Sequence, residues 1–396
     1  MDERRVGLSD RLRKQQAFTA DYSPLYSTLC ATLAVWLEAP NANADPLVKW
    51  LLAAAGERHS LDALLLLLAG LHFDVLAGQP EAGQLAAYYP SVGGRKPAGG
   101  PAFEAVLRGA ILSRPAALAA FMRDNEVQTN ESGRGLCWLL PLTALPWPAV
   151  HLLDLGASAG LNLVAEQRAF RLVAAGDGTA LLRCGRAAGE QFTARCTGRL
   201  EALASWLPGE PPAILSRLGG DLAPFSLQSP ADELRLIAFV WADQPERLER
   251  VREGIAAVKA AEATPAPVRI LPLDLPTGLA DFLEHHAPAG EAPLVIFNTW
   301  ISHYLADHGR GLEPIIDDWA AGQARPVLWL QMEPPALDEG PAPYGYCSWT
   351  ADLWQAGRRR RWFFGYAHPH GGEIELAEGL AEWLAAWRAA PAGLTL

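Results

Sequence analysis

The chain has 396 residues, half of them hydrophobic, with 33 basic against 44 acidic residues and a formal net charge of −11. That length predicts two structural units, or one sheet with large additions, and the acidic balance would repel a phosphate backbone, so no nucleic-acid partner is expected. The N-terminal string MDERRVGLSDRLRKQQ lacks the apolar stretch of a signal peptide, the greasiest run, Ala63 to Leu71, is too short to span a bilayer, and the cysteines Cys30, Cys137, Cys184, Cys196 and Cys347 form no C-x-x-C pair. A cytoplasmic protein without membrane contact, disulfide framework or metal cluster is the expectation.

Residues 1–146 read as helical. SPLYSTLCATLAVWLE offers Ser23 as N-cap and Pro24 at the first helical position, followed by apolar residues at helical spacing. SLDALLLLLAGLHFDVLAG repeats the pattern from Ser60 to Gly78, the turn-rich YYPSVGGRKPAGGPAF interrupts it, and RPAALAAFMRDNEV resumes it. QTNESGR is the most polar string of this region. Asn130, Glu131 and Arg134 are candidate substrate-binding residues that could reach over a sheet edge; equally, Thr129 or Asn130 could cap a helix and Glu131 pair with Arg134 one turn on.

From 147 to 396 the grammar changes to strands alternating with helices. PAVHLLDLG reads as a buried strand with SAGLNLVAEQRAF continuing as a helix, and PAILSRLGGDLAPF as a second strand and turn. Helix follows in PADELRLIAFVWADQPERLERVREGIAAVKA, broken at Pro245, where Asp243 is a candidate cap. VRILPLDL, APLVIFNTW and RPVLWLQMEPP supply further strands, and RRRRWFFGYAHPHGGEIELA a closing antiparallel pair whose arginines are a solvated strand start. The stretch near 170–205 alternates polar and apolar residues as an added β insertion would. The expected architecture is α/β: a mainly parallel sheet closed by an antiparallel strand, preceded by a helical N-terminal domain.

HLLDLGASAGLNL, residues 151–163, admits two chemistries. Gly156 to Gly160 fit G-x-S-x-G, which would make Ser158 the nucleophile of a serine hydrolase; that elbow needs a sheet and an oxyanion loop already built upstream, where this chain reads as helical. The same letters suit a glycine turn after the first strand of a nucleotide-binding sheet. Asp154, an acid at the end of a buried strand, is unfavourable there without donors. Its spacing resembles D-x-G-x-G-x-G, the first motif of class I S-adenosylmethionine-dependent methyltransferases, with Ser158 in place of the middle glycine. That resemblance implies a Rossmann-like sheet holding S-adenosylmethionine through Asp154, Gly156, Ser158, Gly160 and Asn162, with Asp221 of LGGDLAPF toward the ribose and Asp274 of ILPLDL toward the adenine. FNTWISHYL would end the fourth strand, where a methyl group moves; Asn298 and Trp300 are then substrate-side residues, and His303 and Tyr304 the catalytic candidates. His285, His286, His368 and His370 lack the spacing of a metal site.

Six ordered strings carry a wider resemblance: SPLYSTL at 23–29, YYPSVGG at 88–94, VQTNESGR at 127–134, LDLGASAGLNL at 153–163, RLGGDLAPF at 217–225 and VWADQPERL at 240–248. End to end the chain resembles the bacterial domain-of-unknown-function family DUF2332. Glu166-Gln167-Arg168 departs from the aspartate-arginine-tyrosine expected after GLNL and leaves Glu166 a weak candidate. The expectation is a methyltransferase-like enzyme acting on a small molecule; the alternatives are a non-catalytic binding or regulatory protein of the same fold and the Ser158 hydrolase. Nothing in the sequence fixes the oligomeric state.

Overall fold

The computed structural model describes residues 3–388 except 129, 189–191, 205, 207–208 and 336–341. Contacts divide the chain into two compact units, Met1–Asn130 with Leu227–Arg252, and Glu131–Ser226 with Glu253–Leu396. This differs from a single cut after residue 146. The helix Leu136–Leu142 is buried at every position and belongs with the sheet, whereas the amphipathic helix Pro230–Ala238 belongs with the helical unit.

No strand occurs among the described residues before Ala149. The helical unit is built on Glu3–Thr19, Pro24–Glu38, Pro46–Ala55, Ser60–Leu76, Gly100–Ser113 and Pro115–Asp124 around a core that includes Leu29, Leu33, Leu67, Phe103 and Met122. Ser23 does stand before Pro24, yet its hydroxyl donates to Asp243 at 2.6 Å instead of capping its own helix. Asp243 also accepts from the Leu25 amide at 3.0 Å, so it caps the helix of residues 24–38 rather than the one after Pro245. Trp241 stacks between Tyr22 and Tyr26, with ring centroids 5.1 and 4.9 Å away. The helix of SLDALLLLL begins at Ser60, and the cap is the His59 ring, which accepts from the Leu61 amide. No single helix among the described residues is long and apolar enough to cross a membrane; two bent pairs reach that length and composition only jointly.

His72 fastens this unit internally. Its ring meets the Ala238 carbonyl at 3.1 Å and the Ser91 hydroxyl at 2.8 Å, and burial pushes its pKa down from 6.5 to about 4. The folded state therefore resists protonation that the unfolded chain accepts, so stability present above pH 6.5 is expected to be lost as the pH falls toward about 4. Unfolding curves at several pH values should show this slope in the wild type and not in His72→Gln.

The second unit carries one sheet of eleven strands: β1 Ala149–Leu155, β2 Phe170–Ala174, β3 Ala180–Cys184, β4 Phe192–Gly198, β5 Ala213–Asp221, β6 Val268–Pro272, β7 Leu294–Thr299, β8 Val327–Glu333, β9 Cys347–Gln355, β10 Arg358–Ala367 and β11 Glu373–Leu376. Their order is β3-β2-β4-β11-β10-β9-β8-β7-β1-β5-β6, making a mixed but mostly parallel α/β sheet. The run β6-β5-β1-β7-β8 is parallel throughout. After the β2–β4 insertion at the far end of the sheet, the chain lays β5 and β6 on one side of β1 and then β7 and β8 on its other side, so within the parallel run connections diverge between β1 and β7. Open α/β sheets bind ligands at the carboxyl edge of such a switch point.

The closing region is larger than one antiparallel pair. β9, β10 and β11 form a meander, and β11 runs parallel to β4, which draws the insertion β2–β4 into the main sheet. Leu136–Leu142 packs on the face holding Val150 and Leu152, while Leu279–His286 and Leu312–Ala321 cover the face holding Leu153 and Leu155. By strand alternation Asp154 shares the face of Val150 and Leu152. Two of the four arginines of β10, Arg359 and Arg361, pair with Asp352 and Glu313.

The α-helix expected after the glycine turn is a 3-10 helix, Leu161–Gln167, kinked at Val164. A regular helix would need the carbonyls of Asn162 and Leu163. Trp138 Nε1 takes the first at 2.8 Å and Arg217 Nε the second at 3.0 Å.

Candidate functional site

β1 ends between β5 and β7, where Asp154 lies opposite Gly219 on one side and Phe297 on the other. Asp154 is 3 % exposed, and no hydrogen bond reaches its carboxylate from the described residues. Burial, then the negative charge of Asp221, hold its carboxyl well above the usual range; Arg134 opposes that shift and Glu333 adds to it.

The turn after β1 is consumed by its own neighbours. Gly156 and Ala157 donate their amides to the Gly220 carbonyl at 2.8 and 3.2 Å, Ser158 donates to Asp221 Oδ2 at 2.7 Å, and Gly160 donates to the Ala157 carbonyl at 2.7 Å. Asp221 Oδ1 accepts from Ala223 at 2.9 Å. With these four amides occupied the loop is a poor cradle for a phosphate, which depends on convergent N–H groups and a helix N-terminus. What it offers a ligand is carboxylate and close backbone approach.

That approach depends on two glycines in left-handed conformation, Gly156 at φ +87° and Gly160 at φ +75°. A Cβ would stand 2.1 Å from Ile301 Cγ2 at the first and 2.6 Å from Val268 Cγ1 at the second. Gly156→Ala is expected to cost about 1–3 kcal/mol through overpacking, read from the urea midpoint. Ser158 occupies the same region at φ +50°. Since that conformation costs a Cβ-bearing residue about 1–2 kcal/mol, and glycine's extra chain entropy offsets part of it, Ser158→Gly is expected to be neutral or mildly stabilising.

Across the switch point, Trp300 follows β7 at φ +63°, a strained position for a bulky residue. Glu333, at the end of β8, holds this corner. Its Oε1 accepts from Asn298 Nδ2 at 2.7 Å and the Ile301 amide at 3.1 Å, and its Oε2 from the Ser302 amide and hydroxyl at 3.0 and 2.8 Å. Burial nevertheless keeps the Glu333 carboxyl raised. Glu333 is absent from the sequence-based candidates, although LQMEPP carries the same signal as LLDLG, an acid closing an apolar strand. Asn298 is fully buried, its carbonyl oxygen taken by Trp329 Nε1 at 2.6 Å and its amide by Glu333, so it orients Glu333.

His303 and Tyr304 lie exposed on the 3-10 turn Ser302–Tyr304. The His303 ring stacks on Trp300 at 5.6 Å and meets Tyr304 edge-on at 5.5 Å, a continuous aromatic rim beside the switch point. Asp274 stands exposed just beyond β6. Asn162 sits in the 3-10 helix after the loop with its side-chain oxygen buried and unbonded.

The polar string before β1 is divided. Thr129 lies outside the described residues, and Asn130 belongs to the helical unit, where its amide donates to the Leu236 carbonyl at 2.6 Å. Glu131 accepts from the Gly133 amide at 3.1 Å and approaches His370 Nδ1 at 3.8 Å rather than pairing with Arg134. Arg134 instead donates from Nε to the Pro369 carbonyl at 2.6 Å, and its guanidinium lies 5.9 Å from the Trp300 ring. Glu166 forms a buried ion pair with Arg217, which removes it from the ligand side. Among the described residues no group of three or more His, Cys, Asp or Glu is arranged to hold a metal.

A cavity of about 250 Å³ opens elsewhere, on the β9–β10 hairpin among Arg358, Arg360, Trp362 and Trp387. It contains none of the strand-end carboxylates. No curated protein matches the chain. Residues 9–375 match the family described as an uncharacterized protein conserved in bacteria, DUF2332, and the chain belongs to that family.

Proposed function

We propose that the protein is a Rossmann-like, methyltransferase-type enzyme that binds S-adenosylmethionine at the carboxyl ends of β1, β5 and β7 and acts on a small molecule. The observation that carries this reading is Asp154: a buried carboxylate with no hydrogen-bond donor among the described residues, at the switch point of a parallel sheet, next to a loop with four of its amides already taken. A cationic, uncharged-ribose ligand suits that chemistry and a pyrophosphate does not. In this arrangement Asp154 takes the ammonium of the cofactor. Asp221 uses one lone-pair site of each oxygen on the backbone and keeps capacity for the two ribose hydroxyls. Methyl transfer is an in-line displacement at a sulfonium carbon, so the enzyme chiefly positions the reactants and excludes water. The rim of Trp300, His303 and Tyr304 would seat the acceptor, with the exposed His303 ring as the candidate proton acceptor.

Ultraviolet crosslinking of labelled S-adenosylmethionine tests the assignment. Label competed by S-adenosylhomocysteine and mapped to peptides containing residues 149–163 or 213–225 is the expected result; no competable label from folded, ligand-free protein counts against it.

The positive φ of Ser158 also fits a nucleophile elbow, although a 3-10 helix replaces the α-helix such an elbow requires. A fluorophosphonate probe that labels the wild type and not Ser158→Ala would establish the hydrolase instead.

A further inference from the structure

We infer that Arg134 and Asp154 together recognise the α-amino-acid end of a ligand, its carboxylate on the Arg134 guanidinium and its ammonium on the Asp154 carboxylate. This deepens the reading above and rests on it for the location of the site.

Arg134 is 3 % exposed. Nε donates to the Pro369 carbonyl, Nη1 makes a long 3.5 Å contact with the Thr299 carbonyl, and Nη2 is buried with no partner. No carboxylate among the described residues forms an ion pair with it. The acids nearby are engaged elsewhere, Glu333 by four donors and Glu131 by the Gly133 amide beside His370. Glu131 and Glu333 favour its charge only through space; a buried guanidinium without a direct ion pair is costly, and its rigid fork of N–H groups matches a carboxylate in a bidentate pair.

The placement brings Arg134 to Asp154. Thr299, whose carbonyl it touches, is the last residue of β7, one beyond the Asn298 that pairs in register with Leu155. The helix Leu136–Leu142 begins two residues after Arg134 and packs on the sheet face that Asp154 shares. Arg134 draws the Asp154 carboxyl downward, yet the two form no ion pair. Opposite charges that share an edge, have no ion-pair partner among the described residues and do not touch are matched by a zwitterion set between them.

Calorimetric titration with S-adenosylhomocysteine and 5′-methylthioadenosine separates the amino-acid end from the nucleoside, because the second ligand lacks only the former. In Arg134→Gln, affinity for S-adenosylhomocysteine is expected to fall at least about 30-fold, the size seen when one partner of a buried charge pair is truncated. Affinity for 5′-methylthioadenosine should stay unchanged, and Arg134→Lys should recover part of the loss. Equal losses for both ligands, no loss for either, or wild-type protein binding both equally well would overturn the inference. If Arg134→Gln does not fold, by circular dichroism, the Lys variant carries the same comparison. If neither nucleoside binds the wild type, the S-adenosylmethionine reading fails on its own, and L-methionine against L-methioninamide then decides: binding of the acid alone supports the zwitterion site, and binding of neither or of both overturns it.

Discussion

Asp154→Asn is expected to abolish S-adenosylmethionine binding and at the same time to make the protein more stable at pH 7. Burial raises the Asp154 carboxyl in the folded state above the value of about 3.9 that an unfolded chain shows. As the pH rises past that value the unfolded chain releases the proton and the folded state holds it. Stability from the bound proton is therefore complete in acid and lost progressively as the pH climbs toward the raised folded value. An asparagine carries no such penalty. The variant should gain about 1–3 kcal/mol at pH 7 because the penalty of ionising a buried carboxyl is removed, and the gain should shrink toward pH 4. Denaturant unfolding of both proteins at the two pH values measures it. A variant less stable than wild type at pH 7 would mean that Asp154 is partnered and structural. Lost affinity with gained stability is the signature of a residue kept for a ligand.

Arg217→Met is expected to have the largest effect on folding. Arg217 is 5 % exposed and Glu166 fully buried, and the guanidinium joins the Glu166 carboxylate, the Leu163 carbonyl and the Ala266 carbonyl at once. Removing it leaves a buried carboxylate uncompensated, a change that costs about 3–5 kcal/mol. Replacing both partners, as in Glu166→Met with Arg217→Met, should recover part of that cost, because no charge is then stranded. Urea midpoints of the single and double variants give the comparison. A single variant within about 1 kcal/mol of wild type would contradict the role assigned to the pair.

β1, β7 and β8 were legible because each is an apolar run closed by turn residues, as a parallel sheet covered on both faces demands, and the part-exposed β5 and β6 were legible from the turn residues that bound them. β9 was not, since CSWTADLWQ is buried on both faces and shows neither alternation nor a clean boundary. The helix after the glycine turn was misread because its carbonyls are claimed by Trp138 and Arg217, residues remote in sequence. Asp243 looked like a local cap and serves a helix more than two hundred residues earlier. In the site, Asp154, Gly156, Ser158, Gly160 and Asp221 could be read from the strings because strand end and turn are local features, and the fold brings them together. Glu333 depends on contacts with a corner about thirty residues away, and the missing ion pair at Arg134 depends on Glu131 turning toward His370; neither is written in local spacing.

Titration calorimetry of ligand-free wild-type protein with S-adenosylmethionine tests the proposed site most directly. Saturable binding in the micromolar range, one ligand per chain and lost in Asp154→Asn, is the predicted result. A folded, ligand-free protein that takes up neither S-adenosylmethionine nor S-adenosylhomocysteine would contradict it.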